Sequence, residues 1–98
     1  MAIHVVIKRK LKVNQPEKLI PLLKELNDCA QKQPGYISTN TLQSTEDLGE
    51  YVVISVWEKK SDWNNWFSDP ERREIQNRID SLIGERTFYE VFRPIYDE

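Results

Sequence analysis

The stretch EYVVISVWE, residues 50 to 58, is apolar on both sides of an extended chain: Val53 and Trp57 fall on one parity, and Val52, Ile54 and Val56 on the other. Successive side chains of a strand point to opposite faces of its sheet, so a strand wet on one face alternates apolar with polar residues. This one does not. The segment TFYEVF, 87 to 92, sets Phe88 and Phe92 against Tyr89 and Val91, and near the N-terminus Val6 stands opposite Val5 and Ile7. A chain of this kind must therefore find cover for both faces of one sheet.

The remaining elements follow from period and punctuation. Residues 3 to 13, IHVVIKRKLKV, alternate as a strand with Ile3, Val5, Ile7, Leu11 and Val13 on one parity, and Arg9 falls among them. Asn14 and Glu17 form a variant of the capping box, with Pro16 in the first helical turn, where a missing N–H costs little. The helix they open carries Leu19, Leu22, Leu23, Leu26 and Ala30 on one stripe and ends at Pro34 and Gly35; Pro21 predicts a kink or a loose first turn. YISTNTLQST, 36 to 45, is a second strand, paired as a hairpin with the third at 50 to 58. Ser61 is placed to cap a short helix holding Trp63, Trp66 and Phe67, while Asp69 and Pro70 open another that buries Ile75, Ile79, Leu82 and Ile83 and stops at Gly84.

Residues 1 to 98 thus read as one domain with the order βαββαβ. Right-handed crossovers put the helices on one face of a four-stranded antiparallel sheet, an α+β, ferredoxin-like arrangement whose other face is left open. Covering about six apolar side chains there, at roughly 1.5 to 3 kcal/mol each, gains on the order of 10 kcal/mol, as much as the whole stability of a small domain. A second copy packed sheet against sheet about a two-fold axis is the simplest cover.

Composition narrows the partners. With 14 basic against 16 acidic residues the formal charge is only -2, and KRKLK at 8 to 12 has the spacing of a solvated strand face rather than of a nucleic-acid patch. Neither nucleic acid nor membrane is expected, since the longest apolar run is far too short to span a bilayer. Nothing resembles a signal segment, so a cytoplasmic protein is expected. Cys29 is the single cysteine, on the apolar side of the first helix, and reads as an inert thiol; no cluster has metal-ligand spacing.

Four segments taken together carry a family resemblance: VVIKRKLKV, then QPGYIS, then EYVVISVWEKKSDWNNWFSDPERREIQ, then TFYEVF. Over nearly its whole length the sequence resembles the antibiotic biosynthesis monooxygenase (ABM) family of the dimeric α/β-barrel superfamily. That likeness implies ferredoxin-like protomers joined as a barrel-like homodimer, with a pocket in each between sheet and helices. It leaves the reaction open, because the family holds cofactor-free oxygenases of aromatic and quinol substrates, haem-degrading enzymes, and members without an assigned reaction. The haem-degrading branch uses an Asn, a Trp and a His. Trp66 matches the Trp, but the His position falls at Gln76 and the Asn position at Arg9, or at Lys8 without a gap, and the single histidine, His4, lies on the opposite strand parity. Haem chemistry is not expected.

Trp63, Trp66 and Phe67 have the spacing of a buried helix face, and the resemblance places Trp66 on the pocket wall as well. Arg9 lies on an apolar parity, where an unpaired guanidinium is too costly to bury. Either it meets a carboxylate, with Glu58, Glu74 and Glu90 as candidates, or it faces a cavity and holds a ligand oxygen. Arg9 and Trp66 are the catalytic candidates. Tyr36, Ser38 and Gln76 are candidates for further hydrogen bonds to substrate, each with a structural alternative, and Asp62 for a substrate contact, although a helix-start charge is the plainer reading. The expected activity is a monooxygenase without metal or cofactor that oxidises an electron-rich aromatic or quinol with molecular oxygen. Its rivals are a non-catalytic dimeric small-molecule-binding domain and another reaction, an isomerase or decarboxylase, in the same scaffold.

Overall fold

In a computed structural model, which describes residues 2–12 and 15–96, the chain forms seven elements. These are β1 (Ile3–Lys10), α1 (Pro16–Ala30), β2 (Tyr36–Gln43), β3 (Glu50–Trp57), α2 (Lys60–Phe67), α3 (Pro70–Ile83) and β4 (Phe88–Phe92). The strands make one antiparallel sheet in the order β2-β3-β1-β4, and this ferredoxin-like topology puts the two most apolar strands in the middle.

Punctuation residues behave as their chemistry dictates in most places. Pro16 opens α1, which continues through the exposed Pro21 to Ala30. The Asp69 carboxylate accepts from the N–H groups of Glu71 and Arg72 and so satisfies two of the free donors of α3. Gly84 ends that helix with φ of 68°, and Gly35 turns the chain into β2 with φ of 83°, both left-handed values that side-chain-bearing residues rarely adopt. Two caps differ from expectation. Helix α2 begins at Lys60 behind an extended Lys59, whose carbonyl accepts from Asp62 and Trp63, so Ser61 lies inside the first turn and caps nothing. Helix α1 is preceded by Gln15, whose side chain makes no capping bond; the Asn14 half of the proposed box, like Val13 of the strand reading, lies outside the described residues.

The helix-covered face holds two packed clusters. An aromatic one sets Trp57, Trp63 and Trp66 against Ile3, Val5 and Ile7; an aliphatic one sets Leu19 and Leu23 of α1 against Ile75, Ile79 and Ile83 of α3. Trp57, at 0% exposure, is the hub. Its ring lies 6.4 Å from Trp66 at 25° and 6.1 Å from Trp63 at 61°, and its indole N–H donates to Ser55 Oγ at 2.8 Å, so its one polar atom is paired. Phe67 departs from the expected core position: it is the last residue of α2 and stays exposed on one side.

The other face carries no helix. There the register aligns His4, Val6 and Lys8 of β1 with Val56, Ile54 and Val52 of β3 and with Phe92, Glu90 and Phe88 of β4. Phe88 is 58% and Phe92 49% exposed. No helix of the described residues is long and apolar enough to cross a membrane.

Candidate active site

Between the covered face and the helices lies a pocket of about 470 Å³ of non-atom space, its open mouth included. The floor is laid by successive strands: Thr39 and Thr41 of β2, Val53 and Ser55 of β3, Ile7 and Arg9 of β1, and Tyr89 of β4. Trp63 and Trp66 close one side, Leu23, Leu26 and Asn27 of α1 another, and Arg72 and Gln76 of α3 a third. None of the described lining residues is a carboxylate or a histidine.

Arg9 is 3% exposed and pairs with no carboxylate among the described residues. Of the candidates from sequence, Glu90 lies 3.9 Å from Lys8, and Glu58 and Glu74 form no ion pair among the described residues. One terminal nitrogen of Arg9 donates instead to Gln76 Oε1 at 2.8 Å. That amide is locked from behind: its nitrogen donates to Asp80 Oδ1 at 2.8 Å and to Thr87 Oγ1 at 2.9 Å, while the Thr87 hydroxyl donates to Asp80 at 3.2 Å. With both Gln76 hydrogens committed to acceptors, only its oxygen can face Arg9. The Arg9 Nε atom is buried with no partner among the described residues. A guanidinium held this way stays charged, although burial presses its pKa below the ordinary value, with Tyr89 and Asp80 acting against that fall and Arg72 adding to it.

A second guanidinium reinforces the first. Arg72 donates to the Phe67 carbonyl at 3.1 Å and lies 4.4 Å from the Phe67 ring centroid and 5.6 Å from that of Tyr89. Burial lowers its pKa as well. The Tyr89 hydroxyl lies beside both cations; burial raises its pKa, and Arg72 and Arg9 pull it back. The pocket is thus apolar and aromatic on its walls and positive at one end, with the Asp80 carboxylate behind Gln76.

Four of the six site residues singled out from sequence need comment beyond Arg9 and Trp66, which both line the pocket. Gln76 lines it too, with the fixed orientation just described. Tyr36 does not: its ring stands edge-on to Trp57 at 5.6 Å and its hydroxyl donates to Thr39 Oγ1 at 2.9 Å. Ser38 lies on the opposite face of the sheet. A bulge between Tyr36 and Ser38 spends two residues of β2 on one step of β3, so Tyr36 pairs with Trp57 and Ser38 with Val56. Asp62 packs over the Cα of Gly35, outside the pocket lining. The residues that sequence reasoning missed are Tyr89, Arg72 and Asn27. Arg72 and Gln76 are four apart on the face of α3 that also buries Ile75 and Ile79, and a charged residue at that spacing is the signal that was there to read.

Cys29, between α1 and α3, donates from Sγ to Glu71 Oε1 at 2.8 Å, and this bond, with burial, pushes its pKa up to about 11. It is a held thiol outside the pocket lining.

Sheet order and helix placement define an α+β, ferredoxin-like fold with a pocket between the sheet and its own helices. Residues 2–78 match the sequence profile of the family described as antibiotic biosynthesis monooxygenase, and the chain belongs to that family. Its fold superimposes on a conserved protein from Methanosarcina mazei Go1 with a TM-score of 0.87 at 20% identity, over 95% of this chain and 92% of that one. SnoaB, a cofactor-independent oxygenase from Streptomyces nogalater, gives a TM-score of 0.87 at 14% identity over 98% and 95% of the two chains. Rv0793 from Mycobacterium tuberculosis gives 0.82 at 15% identity over 99% and 98%. Among curated proteins no significant match was found.

Proposed function

We propose that the protein is a cofactor-independent monooxygenase that works in the cytoplasm as a homodimer and oxidises an electron-rich aromatic of the phenol or hydroquinone type with molecular oxygen. The observation that carries this reading is Arg9: a buried, full positive charge without a carboxylate, aimed into an aromatic-walled pocket. Such a cation stabilises the deprotonated form of a bound phenol, and the apolar walls remove water that would otherwise compete for it. The proton leaves through the mouth to solvent. The electron-rich anion then gives one electron to dioxygen, forming superoxide and a substrate radical. These combine at a ring carbon that bears hydrogen, the peroxide anion takes a proton back from solvent, and loss of water then leaves a new carbonyl. Over the sequence the substrate loses two hydrogens and gains one oxygen, and the second oxygen departs in water. Trp66, stacked on Trp57 and so fixed in orientation, supplies a flat wall for the ring.

The uncovered face of β1, β3 and β4 supports the homodimer, because two such faces packed together remove Phe88, Phe92 and Ile54 from water at once. The test of function is oxygen uptake with a panel of hydroquinones and anthrones. Turnover that falls at least tenfold in Arg9→Ala and in Trp66→Ala, with the assembly intact, is expected; wild-type rates in both remove the site assignment. One observation favours a binding module instead, namely the lack of a carboxylate or histidine in the pocket lining to act as base. Binding without oxygen uptake across the panel would decide for it.

A further inference from the structure

Two buried polar atoms of the described residues have no protein partner, Arg9 Nε and Asn27 Oδ1, and both belong to residues that line this one pocket. A buried polar atom left unpaired is costly, so two such atoms on residues that line one cavity describe what its occupant must bring. Arg9 Nε is a donor and asks for an oxygen acceptor; Asn27 Oδ1 is an acceptor and asks for a donor. They stand at opposite ends. Arg9 is on β1 beside Gln76 and Tyr89, whereas Asn27 lies with Thr41 on the β2 side, across β3. The Asn27 end is also the outer one. Leu23, Asn27 and Thr41 continue into a second, more open recess between α1 and β2, bordered by Lys24, Gln43 and Tyr51.

We infer that the ligand is a rod-like aromatic with an acidic oxygen at one end, bound by Arg9, and a hydroxyl at the other, bound by Asn27. A hydroxyl satisfies this position in either orientation of the amide, because it both donates and accepts. Between the ends Trp66 and Val53 offer apolar surface beside the hydroxyls of Ser55 and Thr39, which suits a flat aromatic body. Asn27 is then a specificity residue that selects length and a distal hydroxyl, and groups attached near that hydroxyl lie in the outer recess. This inference rests on reading the pocket as a ligand site, but not on turnover.

The experiment is calorimetric titration of the wild-type protein with 6-hydroxy-2-naphthoate and with 2-naphthoate, which differ only in the distal hydroxyl. The hydroxylated probe should bind about tenfold more tightly, as one hydrogen bond to a buried atom predicts. Asn27→Leu should abolish that preference and leave 2-naphthoate affinity within about twofold, Asn27→Asp should retain a preference, and Arg9→Met should weaken both probes. Equal wild-type affinities, a preference that survives Asn27→Leu, or no binding of either probe would each overturn the inference. Oxygen uptake with the hydroxyl preference absent sinks only this proposal, and the preference without oxygen uptake sinks only the oxygenase.

Discussion

The two faces of the central strand β3 are built from similar residues and end in different environments. Inward, Tyr51, Val53, Ser55 and Trp57 are buried under the helices; outward, Val52, Ile54 and Val56 are only partly buried, with Phe88 and Phe92 beside them in the open. The covered face could close over a cavity because helices of its own chain bring polar side chains to fixed places, Arg72 and Gln76 from α3 and Asn27 from α1. The open face offers only the sheet. Apolar content alone therefore does not locate a site. What marks the site is charge held where water does not reach.

The largest effect expected on this contrast comes from Trp57→Ala, which removes the hub of the aromatic cluster and should cost about 3 to 5 kcal/mol in urea unfolding; Val56→Ala, the next residue but on the other face, should cost far less if no partner covers it. Ile54→Asp is the sharper test of the open face. In the proposed dimer it buries a charge against its own symmetry mate and should give monomers by sedimentation at micromolar concentration, whereas an unchanged mass would mean that nothing packs there. Next is Gln76→Glu, which hands Arg9 a carboxylate and should weaken binding of an aromatic acid by about tenfold or more while the fold survives, measured by titration. Asp69→Ala removes the two cap bonds of α3 and should cost about 1 kcal/mol whichever face is probed.

The smallest effect is the pH dependence of Cys29. Its pKa, raised from 9.0 to about 11, keeps the folded state protonated where the unfolded chain has already ionised. The folded state then holds the proton more tightly, so stability drawn from this thiol is present below about pH 9 and lost as pH rises toward 11. Thiol labelling should be slow at pH 8 and climb about tenfold per unit, and Glu71→Gln should speed it.

Element order was readable in the sequence because each strand and helix announces itself by period and most helix boundaries by Pro, Gly or Asp69, the start of α2 at Lys60 being the exception. The two-sided pattern of β3 also survives intact as the register. The site was only half readable. Arg9 betrayed itself as a charge on an apolar parity, and the fixed orientation of Gln76 depends on Asp80 and Thr87, which no local pattern links to it. Ser38 sits on the face away from the pocket because a single bulge after Tyr36 reverses the simple alternation, which no local pattern announces. Tyr89 looked like one more strand aromatic, and Arg72 was hidden in the charged run ERRE; only tertiary packing sets the two against Arg9.

The neutral clamp on Arg9 has a practical consequence. Because Gln76 engages one nitrogen of the guanidinium without cancelling its charge, the unliganded cavity attracts any small anion in the medium, and a true ligand has to evict that guest. Apparent affinities should therefore depend on which counter-ion the buffer supplies, chloride or nitrate against a bulky sulfonate, more than on ionic strength alone.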